Sequence, residues 1–260
     1  MKPGKQSREK PLPFRKDAIR IVPLHRPEAQ LVAPAAAPQL VYRGGPLMGS
    51  VEVFSIFWGA GWQQAPLAGI LSQVNQFFDF VLTSSLMDQL SEYSAGGQTI
   101  GHGKRTGSIA LASPAPGASV SDQAIQQLLR QEISSNAAFP QPSPNTLYFV
   151  FAPPGTSVVQ SGASSCQQFC GYHDSIGSQI FYAVMPFPDC TGCLGGLTQL
   201  DALTSTSSHE LCEAITDPIP GQGWYDDANG EIGDICAWKT KKLGAFTVQL
   251  EWSNQAGKCI

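Results

Sequence analysis

Runs of β-branched and aromatic residues, separated by glycine and proline, recur along the chain and predict buried strands. GSVEVFSIFWG at 49–59 is bounded by glycines, and GSIALAS at 107–113 predicts a second strand. NTLYFVFAPP at 145–154 is stopped by a proline pair, and SQIFYAVMPF at 178–187 follows a loop that carries cysteines. FTVQLEWS at 246–253 predicts the last strand.

Three segments between these runs have helical periodicity. In 66–93, apolar residues recur three and four positions apart after Pro66, which suits the first turn of a helix. Residues 121–135 predict a second helix with Ser121 as its N-cap. A third helix is predicted over residues 197–216.

The order of these elements predicts the fold class. After the third helix, GWYDDANGEIGDICAW at 223–238 contains Asn229-Gly230 and predicts a hairpin. Strands and helices that alternate in this way indicate a mixed α/β (α+β) domain of three layers, with a mixed sheet and flanking helices. Such an arrangement can accommodate a zincin-like fold.

Charge divides the chain into a tail and a body. Of the 16 Lys and Arg residues, eight lie in the first 26 positions, and the rest of the chain has eight basic against 18 acidic residues. We therefore interpret residues 1–40, basic and then Pro/Ala-rich, as a disordered tail or linker, and 41–260 as a single domain. The acidic body argues against nucleic acid as the main partner. No apolar run has the length of a membrane span or a signal peptide.

The segment SSHELCEAITDP at 207–218 begins like the HExxH helix of zinc peptidases, with Glu213 in place of the second histidine. On a helix, His209 and Glu213 project from one face, one turn apart. Imidazole nitrogen and carboxylate oxygen are both zinc ligands, so the exchange preserves coordination and adds negative charge. Glu210 would lie beside the metal, where HExxH enzymes have their general base.

Small polar residues share the face of this helix that carries His209, namely Ser205, Thr206 and Thr216. Leucines and an isoleucine lie roughly on the opposite side and can face the core. This division predicts that the His209 face is the floor of a cleft. The plain alternative is an exposed polar helix that binds no metal.

A zinc site needs a third ligand, and the acidic segment after the helix offers Glu231 and Asp234. Gly230 and Gly233 would let this segment fold closely over the helix. Alternatively, the cluster Asp226, Asp227, Asn229, Glu231 and Asp234 could hold calcium as a structural clip. Of these two cations, only zinc accounts for His209 as a ligand, since calcium is rarely coordinated by imidazole.

Seven cysteines and one further histidine leave alternatives open. Cys166, Cys170, Cys190 and Cys193 suit either a four-thiolate zinc knot or disulfides, formed locally or between the two pairs. Cys236 and Cys259 flank the final strand and could pair, which would leave Cys212 as a buried, inert thiol. His173, which Asp174 follows, is either a structural, hydrogen-bonded histidine or a residue that orients a metal ligand or binds a substrate.

Six segments in their shared order resemble the EXORDIUM / phosphate-induced protein family, in its bacterial branch, over residues 41–260. They are RGGPLMGSVEVFSIFWG, CQQFCGYHD, CTGCLGG, SHELCEAITDP, GWYDDANGEIGDICAW and WSNQAGKC. The resemblance implies a secreted protein of the cell wall or apoplast, and hence disulfides rather than a zinc knot.

Two functions are therefore expected. The first is a secreted zinc-dependent peptidase or related hydrolase, which acts on a peptide or cell-wall-associated substrate. Its metal would be held by His209, Glu213 and Glu231 or Asp234, with Glu210 as the base. The second is a non-catalytic extracellular binding or structural protein, whose acidic loop is stabilised by calcium or zinc.

Overall fold

The computed structural model describes residues 21–25 and 37–260. Its strands are β1 (Ile21–Pro23), β2 (Val41–Tyr42), β3 (Glu52–Trp58), β4 (Lys104–Leu111), β5 (Ser119–Ser121), β6 (Thr146–Phe151), β7 (Ser157–Gln160), β8 (Ala163–Ser164), β9 (Phe169–Ile176), β10 (Ile180–Met185), β11 (Trp224–Tyr225), β12 (Thr240–Leu243), β13 (Phe246–Gln249), β14 (Trp252–Ser253) and β15 (Lys258–Cys259). Its α-helices are α1 (Leu67–Val81), α2 (Ser85–Leu90), α3 (Asp122–Ser135), α4 (Thr191–Leu194) and α5 (Gln199–Thr216).

Six strands form a central mixed sheet in the order β1-β9-β10-β6-β3-β4. The four strands from β10 to β4 are parallel to one another. At the other side of the sheet, β9 runs in the opposite direction and pairs antiparallel with both β10 and β1. The predicted mixed sheet is confirmed.

Alternate side chains of the central strands pack on opposite faces of the sheet. Val53 and Phe57 of β3 belong to the core that includes α1, α2 and α5, whereas Phe54 and Ile56 belong to the core that includes α3. Because both faces are covered, the inner strands β3, β6 and β10 are mostly apolar. The three-layer α/β arrangement is confirmed, with α5 on the same side of the sheet as α1 and α2.

The segment 66–93 forms two helices and a 3₁₀ turn, not one helix. The chain leaves the helical path after Leu82, and Ser84 adopts an extended conformation. The Ser84 side chain accepts a hydrogen bond from the main-chain N–H of Leu86 and so N-caps α2. Apolar periodicity continues across this break, because both helices pack on the same core.

The loop predicted before the fourth strand contains a long strand, β9, whose sequence is FCGYHDSI. Its polar residues and glycine hide the strand pattern in the sequence. In the structure, His173 is buried inside the sheet, and β9 is paired on both edges by β1 and β10. Tertiary pairing therefore decides this element.

The predicted hairpin over 223–238 is wrong, although a turn does form at Asn229-Gly230. β11 pairs with β2, far away in sequence, and a single bridge between Asp226 and Gly230 closes the turn. The following segment is a 3₁₀ helix at Asp234–Cys236. The last predicted strand is likewise divided, into β13 and β14.

Part of the predicted tail belongs to the domain, since Ile21–Pro23 is the edge strand β1. The remainder of the predicted tail, apart from residues 24–25 and 37–40, lies outside the described residues. Among the described helices, none combines the length and apolar character that crossing a membrane requires.

The disulfide interpretation of the cysteines is confirmed. Two bonds join the predicted pairs crosswise, Cys166–Cys190 and Cys170–Cys193, and Cys236–Cys259 joins the chain end to the 3₁₀ helix. The thiolate zinc knot is therefore wrong, because all four of its sulfurs are in disulfides. Cys212 is the free cysteine of the described chain and is buried, as predicted.

Candidate metal centre

The helix that carries the HExxE motif is buried on all sides. Thr198 N-caps α5 by accepting a hydrogen bond from the main-chain N–H of Asp201. From Ala202 to Thr216 every residue is buried. The predicted cleft floor is wrong, because this face is buried, with Thr206 packed against β9. A Cβ at Gly171 of β9 would lie 2.6 Å from Thr206 Cγ2.

The first candidate ligand group is His209, Glu213 and Asp234, whose ligand atoms all lie within 4.8 Å of one another. His209 Nε2 is 2.9 Å from Glu213 Oε1 and 3.9 Å from Asp234 Oδ1. Atoms bound to one zinc ion at about 2.0–2.2 Å are about 3–4 Å apart, which these separations match. His209 Nε2 is buried, and its 2.9 Å approach to Glu213 Oε1 does not have the geometry of a hydrogen bond. The group therefore fits a metal ion.

Two glycines bring Asp234 to the helix, as the sequence predicted. A Cβ at Gly233 would lie 2.7–2.9 Å from three atoms of the His209 ring. Gly230 has φ +88°, and a Cβ there would collide with the Asp234 carboxylate. The loop is then held to the helix by a hydrogen bond of 3.1 Å from the main-chain N–H of Asp234 to Glu213 Oε1.

The opposite side of the His209 ring meets Gln249 of β13. Gln249 Nε2 is 2.8 Å from His209 Nδ1 and 2.9 Å from the carbonyl oxygen of Gly233. An amide that donates to Nδ1 leaves the ring proton on Nε2. Ligation through Nε2 requires the other tautomer, for which the amide must turn and give up its hydrogen bonds to the Gly233 carbonyl and from the Trp238 N–H. Gln249 thus controls which nitrogen of His209 can bind a metal.

A second candidate group is built around His173, which the sequence did not identify as a ligand. His173 Nδ1 is 3.1 Å from Glu210 Oε2 and 3.4 Å from Glu213 Oε2. The ligand atoms of these three residues also lie within 4.8 Å of one another. No local pattern marks His173 in the sequence, because the pairing of β9 alone brings it to α5.

Glu231 lies apart from the first group and close to the second. Its Oε1 is 3.6 Å from His173 Nε2, and neither of its carboxylate oxygens has a hydrogen-bond partner. Of the two predicted third ligands, the structure therefore brings Asp234, and not Glu231, to His209 and Glu213. Both are held by one short loop, since the main-chain N–H of Glu231 donates to Asp234 Oδ2 at 3.0 Å.

The buried charges strongly affect one another. Although burial disfavours a charged imidazole, Glu210 and Glu213 raise the pKa of His173 to about 10. Burial raises the pKa of Glu210 to about 6, and burial together with Glu213 holds the pKa of Glu231 well above its usual range. For Glu213, burial is outweighed by His209 and His173, which lower its pKa to about 2. Glu213 is therefore the anionic centre of the cluster.

Asp217, the aspartate of the TDP sequence, shapes the chain after α5. Its carboxylate accepts hydrogen bonds from the main-chain N–H groups of Gly221, Gln222 and Gly223, at 2.6, 3.0 and 2.5 Å. Its carbonyl oxygen is 3.2 Å from His173 Nε2. Asp217 thus turns the chain back toward the helix and fixes the orientation of the His173 ring.

The residues proposed for a calcium loop have other partners. Asp226 Oδ1 accepts hydrogen bonds from the main-chain N–H groups of Ala228 and Asn229, and its Oδ2 accepts one from Gln39. Asp227 forms an ion pair of 2.7 Å with Arg43. Neither aspartate belongs to a described group of convergent ligand atoms. These residues hold the turn in place instead of converging on a cation.

A comparison with protein-family models finds no match to this chain. A search of curated proteins likewise finds no significant sequence similarity. The EXORDIUM resemblance therefore stays a prediction, as does the zincin-like character of the fold, and the candidate function depends on the site itself.

Proposed function

We propose that this protein binds a zinc ion through His209, Glu213 and Asp234 and acts as a zinc-dependent peptidase or related hydrolase. The supporting observation is the convergence of these ligand atoms within 4.8 Å around the buried His209 Nε2, which Glu213 Oε1 approaches to 2.9 Å without hydrogen-bond geometry. One imidazole and two carboxylates suit zinc, whereas calcium prefers oxygen ligands alone.

When bound, zinc would supply Lewis-acid activation of a substrate carbonyl and of a water molecule. The chain contributes a proton acceptor, because Glu210 Oε1 is buried next to the cluster and has no hydrogen-bond partner. Its Oε2 is 3.1 Å from His173 Nδ1, which orients the carboxylate. Glu213, hydrogen-bonded to the Asp234 main chain, would hold the helix and the loop on the same ion.

Zinc content of the purified full-length chain tests the binding site. We expect His209→Gln and Asp234→Asn to lose the zinc that the wild type holds at this site. His102→Gln is the matched control, because His102 is exposed and pairs with Asp88 far from the cluster. If both site variants retain as much zinc as the His102 variant, the assignment is wrong.

Glu210→Gln tests catalysis. The variant keeps the size of the side chain but cannot accept a proton, so hydrolysis of unfolded protein or a peptide library should fall by about 10²-fold or more. Zinc at His209, Glu213 and Asp234 should remain bound. Equal cleavage by wild type and variant would exclude Glu210 as the base.

A second candidate function is a non-catalytic binding or structural protein in which zinc stabilises the fold. Complete burial supports it, since His209, Glu210 and Glu213 are each 0% exposed and a substrate must reach an active site. Bound zinc would then raise the free energy of unfolding without any cleavage. Zinc-dependent stability with no hydrolysis in a broad screen would favour this candidate.

We also propose that the protein is secreted and acts on, or binds to, a peptide or cell-wall-associated partner. Three disulfides among the described residues support an oxidising compartment. The family resemblance supports the cell wall as the location.

A further inference from the structure

His173 and the motif carboxylates offer a set of ligand atoms that the proposed zinc site leaves unused. We propose that a second divalent transition-metal ion binds His173, Glu210 and Glu213, so that Glu213 bridges two cations. The proposed zinc site uses Glu213 Oε1, whereas Oε2 faces His173. The inference rests on the proposed function through this shared carboxylate.

The hydrogen bond at His173 Nε2 prepares the other ring nitrogen for a metal. Nε2 is 3.2 Å from the carbonyl oxygen of Asp217, and a carbonyl oxygen can only accept a hydrogen bond. Nε2 therefore carries a proton, and in the neutral ring Nδ1 has a lone pair. Metal-binding histidines usually donate their second N–H in this way, to a carbonyl or a carboxylate.

The lone pair on Nδ1 faces carboxylate oxygens, which is unfavourable unless a cation lies between them. Glu210 Oε2 and Glu213 Oε2 are 3.1 and 3.4 Å from Nδ1. Glu213 Oε2 is buried and has no hydrogen-bond partner. Either a proton or a metal ion can fill this position.

Charge balance favours the metal ion over the proton. Five carboxylates are buried around the two imidazoles, those of Glu210, Glu213, Asp217, Glu231 and Asp234. If all five were ionised, the cluster would stay net negative even with both imidazoles protonated. Unbalanced charge in a buried region is costly. A divalent ion in each group offsets more of this charge than a proton on each histidine.

The ligand types indicate which cations fit. An imidazole with two carboxylates suits a first-row divalent ion such as zinc. Glu210 would bind this ion through Oε2, and its unpartnered Oε1 would remain available as the proton acceptor of the proposed reaction. Two cations that share a carboxylate are a known arrangement for hydrolysis.

Zinc per chain, measured on the full-length protein after equilibration with excess zinc and removal of unbound ion, tests the inference. We expect two zinc ions in the wild type, one in His173→Gln, one in Asp234→Asn and two in the control His102→Gln. If His173→Gln does not fold, as judged by circular dichroism, Glu210→Gln replaces it, and one zinc ion is again expected.

The outcomes separate this inference from the proposed function. One zinc ion in the wild type, lost in Asp234→Asn and kept in His173→Gln, would overturn the second site and leave the first intact. One ion lost in His173→Gln and kept in Asp234→Asn would overturn both the two-cation centre and the proposed zinc ligands. No bound zinc in any form of the protein would overturn both proposals.

Discussion

Glu251 is a buried carboxylate outside the candidate ligand groups. It is 0% exposed, lies between β13 and β14, and has the buried Cys212 thiol, a weak hydrogen-bond donor, beside it. Burial raises the pKa of Glu251 well above its usual range, an effect that His209 only partly opposes. No second imidazole faces Glu251, in contrast to Glu213. An ionised Glu251 therefore lowers the free energy of unfolding. Metal binding at His209 and His173 does not directly remove this effect.

We expect Glu251→Gln to stabilise the protein at neutral pH by about 1 kcal/mol or more, the usual cost of an uncompensated buried group. A folded pKa above the unfolded value means that stability is greatest below the unfolded pKa and falls as pH rises toward the folded pKa. The difference between variant and wild type should therefore grow above about pH 4.3, the unperturbed value, and vanish below it.

Urea unfolding at several pH values measures this difference. Glu52→Gln is the control, since Glu52 is partly exposed and pairs with Lys104 at the surface. A Glu251 variant that is less stable than wild type at neutral pH would show that the carboxylate has a partner.

At the scale of elements, the site depends on how closely a loop can approach a helix. Gly233 has helical dihedral angles, φ −79° and ψ −39°, that any residue can adopt. Its requirement for glycine is therefore steric, because a Cβ at this position would lie 2.7–2.9 Å from atoms of the His209 ring. The same helix that offers the ligands thus determines the sequence of the loop that covers it.

We predict that Gly233→Ala destabilises the fold by about 1–3 kcal/mol through overpacking. The displaced His209 ring should also weaken zinc binding by about 10-fold or more, as do changes around metal ligands in general. Thermal unfolding and zinc titration measure the two effects.

Gly69→Ala is the matched control for this substitution. Gly69 lies in α1 with nothing within 4 Å of its added Cβ. Alanine there should stabilise the helix by up to about 1 kcal/mol and leave zinc affinity unchanged. Equal effects of the two substitutions would contradict the steric argument at Gly233.

At the scale of the whole molecule, disulfides tie the periphery to the layered core. Cys236–Cys259 and Cys166–Cys190 enclose almost equal lengths of chain, with sequence separations of 23 and 24. Cys236 ends the 3₁₀ helix that begins at Asp234, whereas Cys166 and Cys190 precede β9 and α4. Only the first bond is therefore connected directly to a candidate ligand.

Replacement of either cysteine pair by serine should cost about 2–5 kcal/mol of stability, because the closed loops are of similar length. Only the Cys236/Cys259 variant should also bind zinc more weakly, since the segment that holds Asp234 loses its anchor. Chemical unfolding and zinc titration of the two double variants measure this. A similar loss of zinc affinity in both double variants would show that the loss follows from lower overall stability and not from the position of the Cys236–Cys259 bond.

The sequence by itself determined the layered core and the candidate ligands that lie close together in the chain. Apolar runs predict the inner strands because both faces of these strands are covered. Helical spacing places His209 and Glu213 on one side of α5, and the turn glycines after it predict the approach of Glu231 or Asp234. These features depend on local periodicity or short spacing, which a single sequence displays.

Only the tertiary structure decided the surroundings of these residues. Pairing of β9 with β10 buries His173 against α5, and β13 brings Gln249 to the His209 ring. The polar side of α5 is covered by strands rather than by solvent, so a face predicted to line a cleft is buried. Contacts between residues tens of positions apart leave no periodic signal in the chain, because each is fixed by sheet order and packing.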